Sequence, residues 1–146
     1  MQVVRKLGDF KLWYVSEDAV PAAQVQLAAV WVNNLFYRKH KITRDSFLEI
    51  SRSKDGKTTS IFRVVRCLNK GKIPGGSLGL QYDCLRNLGL PVRPGEETVE
   101  VYSVHWLRAI FPYLAGHPNP LIRYQFWLSS FLAIIGIILG ITGLAR

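Results

Sequence analysis

From Tyr124 to Ala145 the chain carries no charged side chain: YQFWLSSFLAIIGIILGITGLA. Wound as a helix, such a stretch rises about 33 Å, enough to cross a hydrocarbon layer of about 30 Å. A backbone in lipid must satisfy its own hydrogen bonds, so a lone crossing segment has to be helical. Aromatic rings favour the membrane–water boundary. Tyr124, Phe126 and Trp127 stand at one end beside Arg123, and Trp106 precedes them. Arg123, Tyr124, Trp127 and Trp106 are therefore the expected membrane-interface residues. A core helix would need more surrounding domain than remains here. The expectation is a single-pass C-terminal anchor over 123–146, a tail anchor preceded by no apolar signal segment.

Within the anchor, Ser129, Ala133, Gly136, Gly140 and Gly143 recur at alternating steps of four and three. That spacing puts small residues on one helical face, where a second membrane helix approaches closely. The packing partner is another transmembrane helix, from a second copy or from a different protein.

The remaining residues have the composition of a small soluble domain. Formal net charge is +9, and Phe36 to Lys72 holds much of it. Nine of its cations form the expected surface for an anionic partner: Arg38, Lys39, Lys41, Arg44, Arg52, Lys54, Lys57, Arg63 and Arg66. Lipid headgroups, nucleic acid and acidic proteins all answer that description. Arg108 and Arg123 lie on the domain side of the anchor, so the positive-inside rule puts the domain in the cytoplasm. Cys67 and Cys84 have no zinc-finger or CxxC spacing and are read as buried thiols of a reducing compartment.

Between domain and anchor, residues 105–122 form a juxtamembrane segment. Trp106, Leu107, Ile110, Phe111 and Leu114 fall on one side of a short amphipathic helix that lies on the bilayer or on the domain. Pro112 should end or kink it. Gly116 to Pro120 should break the chain before the anchor. His105 and His117 are read as surface or interface groups.

The domain itself, residues 26–104 after an N-terminal extension of 1–25, alternates and turns. Gln26–Phe36, Thr59–Leu68 and Thr98–Val104 read as strands, with Val99 and Val101 on one face; Phe10 to Tyr14 adds a further candidate. Turns are expected at Ser53–Gly56, Pro74–Ser77 and Arg93–Glu96. A weak internal repeat aligns Ile42–Ile50 with Leu80–Leu88, matching Asp45 to Asp83 as helix caps. Gly76 to Val104, GSLGLQYDCLRNLGLPVRPGEETVEVYSV, resembles the half-motif of small double-psi and AbrB-like β-barrels, with Leu88-Gly89-Leu90 and Pro94-Gly95-Glu96 in the turn. The first half is degraded, with Ser51-Arg52-Ser53 in place of the glycine turn. The resemblance, over residues 28–104, implies two interlocked halves in a six-stranded barrel. The expected fold is mainly β: a double-psi-like barrel with short helices, plus one transmembrane helix. AbrB-like members bind DNA, while double-psi barrels also serve as protein-binding domains and enzyme scaffolds, so fold alone selects no function.

No catalytic motif accompanies this pattern. Gly71 to Ser77 lacks the lysine placement of a phosphate loop, and neither Asp45 nor Asp83 has an acid-protease context. Histidines and cysteines share no metal-ligand spacing. No enzyme, cofactor or metal is expected. The favoured reading is a membrane-anchored adaptor or accessory subunit whose barrel binds a protein partner. The alternative is a membrane-tethered nucleic-acid-binding protein that uses the 36–72 tract, with Phe36, Tyr37 and Phe62 to stack bases.

Overall fold

A computed structural model describes residues 4–20, 28–68, 73–91 and 97–144. Six strands close into a barrel: β1 (Val4–Tyr14), β2 (Ala29–Val32), β3 (Phe47–Lys54), β4 (Lys57–Cys67), β5 (Ser77–Leu80) and β6 (Thr98–Val104). Their order around the barrel is β1-β5-β2-β4-β3-β6, which leaves no open edge. Among the described residues are also four α-helices, α1 (Asn34–His40), α2 (Tyr82–Asn87), α3 (Trp106–Ala115) and α4 (Pro120–Leu144), and one short 3-10 turn at Glu17–Ala19.

The ring maps onto itself when β1, β2 and β3 are exchanged with β4, β5 and β6. Registers obey the same exchange. Leu12 pairs with Leu78 as Val65 pairs with Val30, and Phe10 pairs with Val99 as Arg63 pairs with Leu48. The pairs Trp31–Gly79 and Ile50–Val101 map onto themselves, so the pseudo-two-fold passes through them. Gly79 is the mate of Trp31: a Cβ there would stand 2.5 Å from Val15 Cγ2, 2.7 Å from Ile73 Cδ1 and 3.0 Å from Trp31 Cβ. A glycine in one half thus leaves room for Val15, Ile73 and the Cβ of its mate Trp31.

This symmetry corrects the repeat read from sequence. Ile42–Ile50 is a turn entering β3, whereas Leu80–Leu88 ends β5 and forms α2. The structural equivalents of α2 and its turn are α1 and its own. Ile42 N donates to Tyr37 O as Leu90 N donates to Leu85 O, and Lys41 (φ +50°) stands where Gly89 (φ +66°) stands. A left-handed lysine hid the glycine turn. Ser51-Arg52-Ser53 belongs to β3 instead. Neither aspartate is an N-cap. Asn33 caps α1, its side chain accepting from Phe36 N at 3.1 Å, and Gln81 precedes α2; Asp45 has positive φ in the turn before β3, and Asp83 lies inside α2.

Two more boundaries change. Residues 4–14, assigned to an N-terminal extension, are β1, a full barrel strand paired with β5 and β6. The run read as a strand to Phe36 leaves the sheet after Val32, because Asn33 starts α1; Gln26 and Leu27 lie outside the described residues, as do Arg93–Glu96.

Strand parity fills the core with Phe10, Leu12, Leu48, Ile50, Ile61, Val65, Val99 and Val101, sealed by Phe36 and Ile42 from the first half and Leu85, Leu88 and Leu90 from the second. β2 and β5 are buried on both faces. Their second face rests on a smaller cluster of Val15, Val20, Ala29, Trp31, Leu68 and Ile73. Arg52 braces the barrel wall: it pairs with Glu97 and donates to the carbonyls of Leu88 and Gly89.

Candidate functional site

α3 joins the barrel to α4, and its orientation decides what the two together present. Ala109 and Tyr113 turn inward, Tyr113 meeting Phe47 edge-on at 5.3 Å. Trp106, Leu107 and Phe111 stay exposed, and Phe111 packs on Phe126 and Trp127 at the start of α4. The apolar side of α3 thus faces away from the barrel. Pro112 does not end the helix, which runs on to Ala115. His105 caps its start, Nδ1 accepting from Leu107 N at 3.4 Å. After the turn at 116–119, Asn119 Oδ1 accepts from Leu121 N at 2.9 Å and α4 begins with Pro120 in the first helical position.

Within α4, Pro120–Thr142 is long and apolar enough to cross a membrane, and none of it is buried. Tyr124 and Trp127 are exposed on it. Ser129, Ala133, Gly136 and Gly140 are exposed too, and a Cβ at either glycine would meet nothing within 4 Å. The surroundings of Gly143 lie outside the described residues.

The nine expected anion-binding cations are separated by the fold. Arg38 and Lys39 occupy the exposed last turn of α1, Lys41 its C-cap, and Arg44 the turn beyond. Lys54 and Lys57 flank the β3–β4 hairpin tip. Arg66 is paired with Asp45, and Arg52 with Glu97. Arg63 is buried, at 2 % exposure.

Two basic clefts flank α3. One, at its N-terminal end, is lined by Arg5, Lys41 and Arg44 with Asp45, His105 and Trp106. The other lies between β4, α2 and the α3–α4 joint, with a volume of about 700 Å³. Arg63, Arg86, Arg123 and His117 line it, and Asp83 is the acid among them. Asp45 and Asp83 therefore open into different clefts and make no carboxylate pair.

Arg63 occupies a core-facing position of β4 between Ile61 and Val65. Its Nε donates to Cys84 Sγ at 3.0 Å and its Nη1 to Phe62 O at 2.7 Å; Nη2 is buried with no partner. The symmetry mate of this contact is apolar: Phe10 meets Phe36 with ring centroids 5.3 Å apart and tilted by 57°, where the second half has Arg63 on Cys84. His117, read as a surface or interface group, is buried at 2 % exposure. Its Nδ1 accepts from Asn119 N at 3.1 Å. Burial, with the nearby Arg63 charge second, holds this imidazole below its ordinary range. Both cysteines are free; Cys84 is buried as read, but Cys67 is only half-buried, its Sγ donating to Asn34 Oδ1.

Sequence reasoning missed Arg86 and His117 here. Arg63 carried a readable signal, a cation at an apolar parity in IFRVV. Nothing in Gly116-His117-Pro118 announced burial.

No protein-family model and no curated protein matches the chain. Solved structures do. A rationally designed DPBB protein superposes with a TM-score of 0.51 at 13% identity, over 68% of this chain and 100% of its own. A computationally designed DPBB protein gives 0.50 at 17% identity, over 66% and 96%. A second rationally designed one gives 0.50 at 13% identity, over 66% and 97%. The barrel has the double-psi fold. At these identities the likeness is one of architecture, and the closed six-strand ring with its exchanged halves accords with it.

Proposed function

We propose that this chain is a membrane-anchored, non-catalytic adaptor or accessory subunit, its double-psi barrel held against the cytoplasmic face of a bilayer. The observation that carries this is the exposed apolar length of α4, with the outward rings of α3 packed at its base. In this reading α4 spans the membrane, Trp106 and Phe111 enter the interface, and basic clefts at both ends of α3 face anionic headgroups. The barrel offers its remaining surface to a protein partner. The open small-residue face of α4 packs against other membrane helices, of its own kind or another.

Insertion is tested by Ile134→Lys with Ile138→Lys. Each lysine near the centre of a span costs about 2.5–3.5 kcal/mol. The wild-type chain is expected to float with vesicles and resist carbonate extraction, and the double variant to be extracted. Wild-type chain released by carbonate would overturn the reading. A membrane-tethered nucleic-acid binder is the second reading, drawing on the exposed Arg38, Lys39, Lys41 and Arg44. Salt-sensitive retention of single-stranded DNA by the reconstituted protein, lost when these four become Gln, would favour it.

A further inference from the structure

We propose that the cleft between β4, α2 and the α3–α4 joint is a binding site for a phosphate group, held by Arg63, Arg86 and Arg123. A guanidinium keeps its charge and carries five N–H donors. Buried, it needs an anion or a full set of acceptors. Arg63 has neither. Among the described residues no carboxylate pairs with it, its acceptors are one thiol sulfur and one carbonyl, and Nη2 has no partner. The missing element is an anion with several acceptor oxygens.

The rest of the cleft fits one. Arg86 comes from α2 and Arg123 from α4, both exposed, so three cations converge against the single acid Asp83. The bidentate fork of arginine matches phosphate geometry. The barrel does not require a cation at this position, since the symmetric one holds Phe10 against Phe36. One half seals its end with aromatic rings; the other leaves a charged cleft.

Arg123 lies one turn before Trp127, so the cleft opens at the base of the apolar helix. A phosphate there can belong to a lipid headgroup or to a soluble phosphate or phosphate ester. The site itself does not depend on α4 crossing a bilayer.

The test uses the full chain in two settings. In detergent micelles, inorganic phosphate is titrated and followed by calorimetry. In nanodiscs, phosphatidylcholine is compared with phosphatidylcholine containing phosphatidic acid, and bound lipid is read by ³¹P NMR. Binding of phosphate in micelles, with no enrichment of phosphatidic acid, assigns a soluble ligand; enrichment of phosphatidic acid assigns a headgroup. In either case Arg86→Gln and Arg123→Gln are each expected to weaken binding roughly tenfold. Arg63→Met is expected to abolish it while leaving the thermal midpoint unchanged or higher. Should Arg63→Met misfold, the two exposed variants carry the test. Lys11→Gln removes an exposed charge on β1, outside the cleft, and should leave binding intact. No binding of either probe, or equal loss in the Lys11 control, would overturn the proposal.

Discussion

Single side chains mark where the two halves of the barrel stop being equivalent. Trp31 and Gly79 face each other across the pseudo-two-fold, and Val15, Ile73 and the Trp31 Cβ occupy the space that a second side chain would need. Gly79→Ala places a Cβ 2.5 Å from Val15 Cγ2 and 3.0 Å from Trp31 Cβ, both held close to the backbone, and 2.7 Å from the Ile73 Cδ1 tip. Overpacking of this kind costs about 1–3 kcal/mol, so a lower denaturant midpoint at unchanged m-value is expected. His117 and His40 add a pH dependence. Burial is the main cause in each case; the charge of Arg63 comes second for His117, and those of Lys39 and Arg5 follow for His40. Each imidazole takes up a proton more readily in the unfolded chain than in the fold. Their share of stability is whole above the ordinary value of 6.5 and drains as pH falls below it. The thermal midpoint should therefore fall between about pH 7.5 and about pH 5.5. His117→Asn, which can still accept from Asn119 N, should flatten part of that slope. An unchanged slope would place the dependence elsewhere.

At the scale of elements, α3 reverses the usual arrangement of an amphipathic helix. Its small side, Ala109, packs on the barrel with Tyr113, while the larger rings point out. Such a face loses free energy in water at about 25 cal/mol per Å² of apolar surface, unless lipid or protein covers it. The periodicity of Trp106, Leu107, Ile110, Phe111 and Leu114 showed that a stripe exists. It could not show which way the stripe turns, because that depends on Phe47 receiving Tyr113. A spin label on Leu107→Cys, in a Cys67→Ser background in vesicles, should collide more with oxygen than with a polar nickel chelate. The same label on Lys54→Cys at the hairpin tip should do the reverse. Matching polar accessibility at both sites would show that α3 does not lie on lipid.

Over the whole molecule, the halves are interlocked and cannot be separated. Among the described residues, β2 of the first half pairs with β4 and β5 of the second, and β1 with β5 and β6. Core residues from both halves share one cluster. A fragment of residues 1–55 would keep β1, β2 and β3 without any of the barrel pairings given for β1 and β2. It should show no amide dispersion by NMR and a random-coil far-UV spectrum, and should fold only with its complement. A folded isolated half would mean that one half suffices as its own core.

The one-dimensional pattern settled whatever depends on neighbours along the chain. An uncharged run from Tyr124 to Ala145 makes an apolar helix wherever it sits, and alternation through Thr98–Val104 makes β6, because both periods are local properties of the backbone. The half-motif from Gly76 to Val104 was legible for the same reason: a glycine at Gly89 supplies the positive φ that its turn needs. Tertiary structure decided the rest. Its partner half was hidden because Lys41 adopts that φ without being glycine, so the repeat appears in registers and hydrogen bonds rather than in residue identity. The basic tract was visible, but its division into hairpin tip, ion pairs and a buried Arg63 was not. Charge in a sequence is a sum, whereas the closing of a barrel assigns each cation its own dielectric surroundings and its own partner.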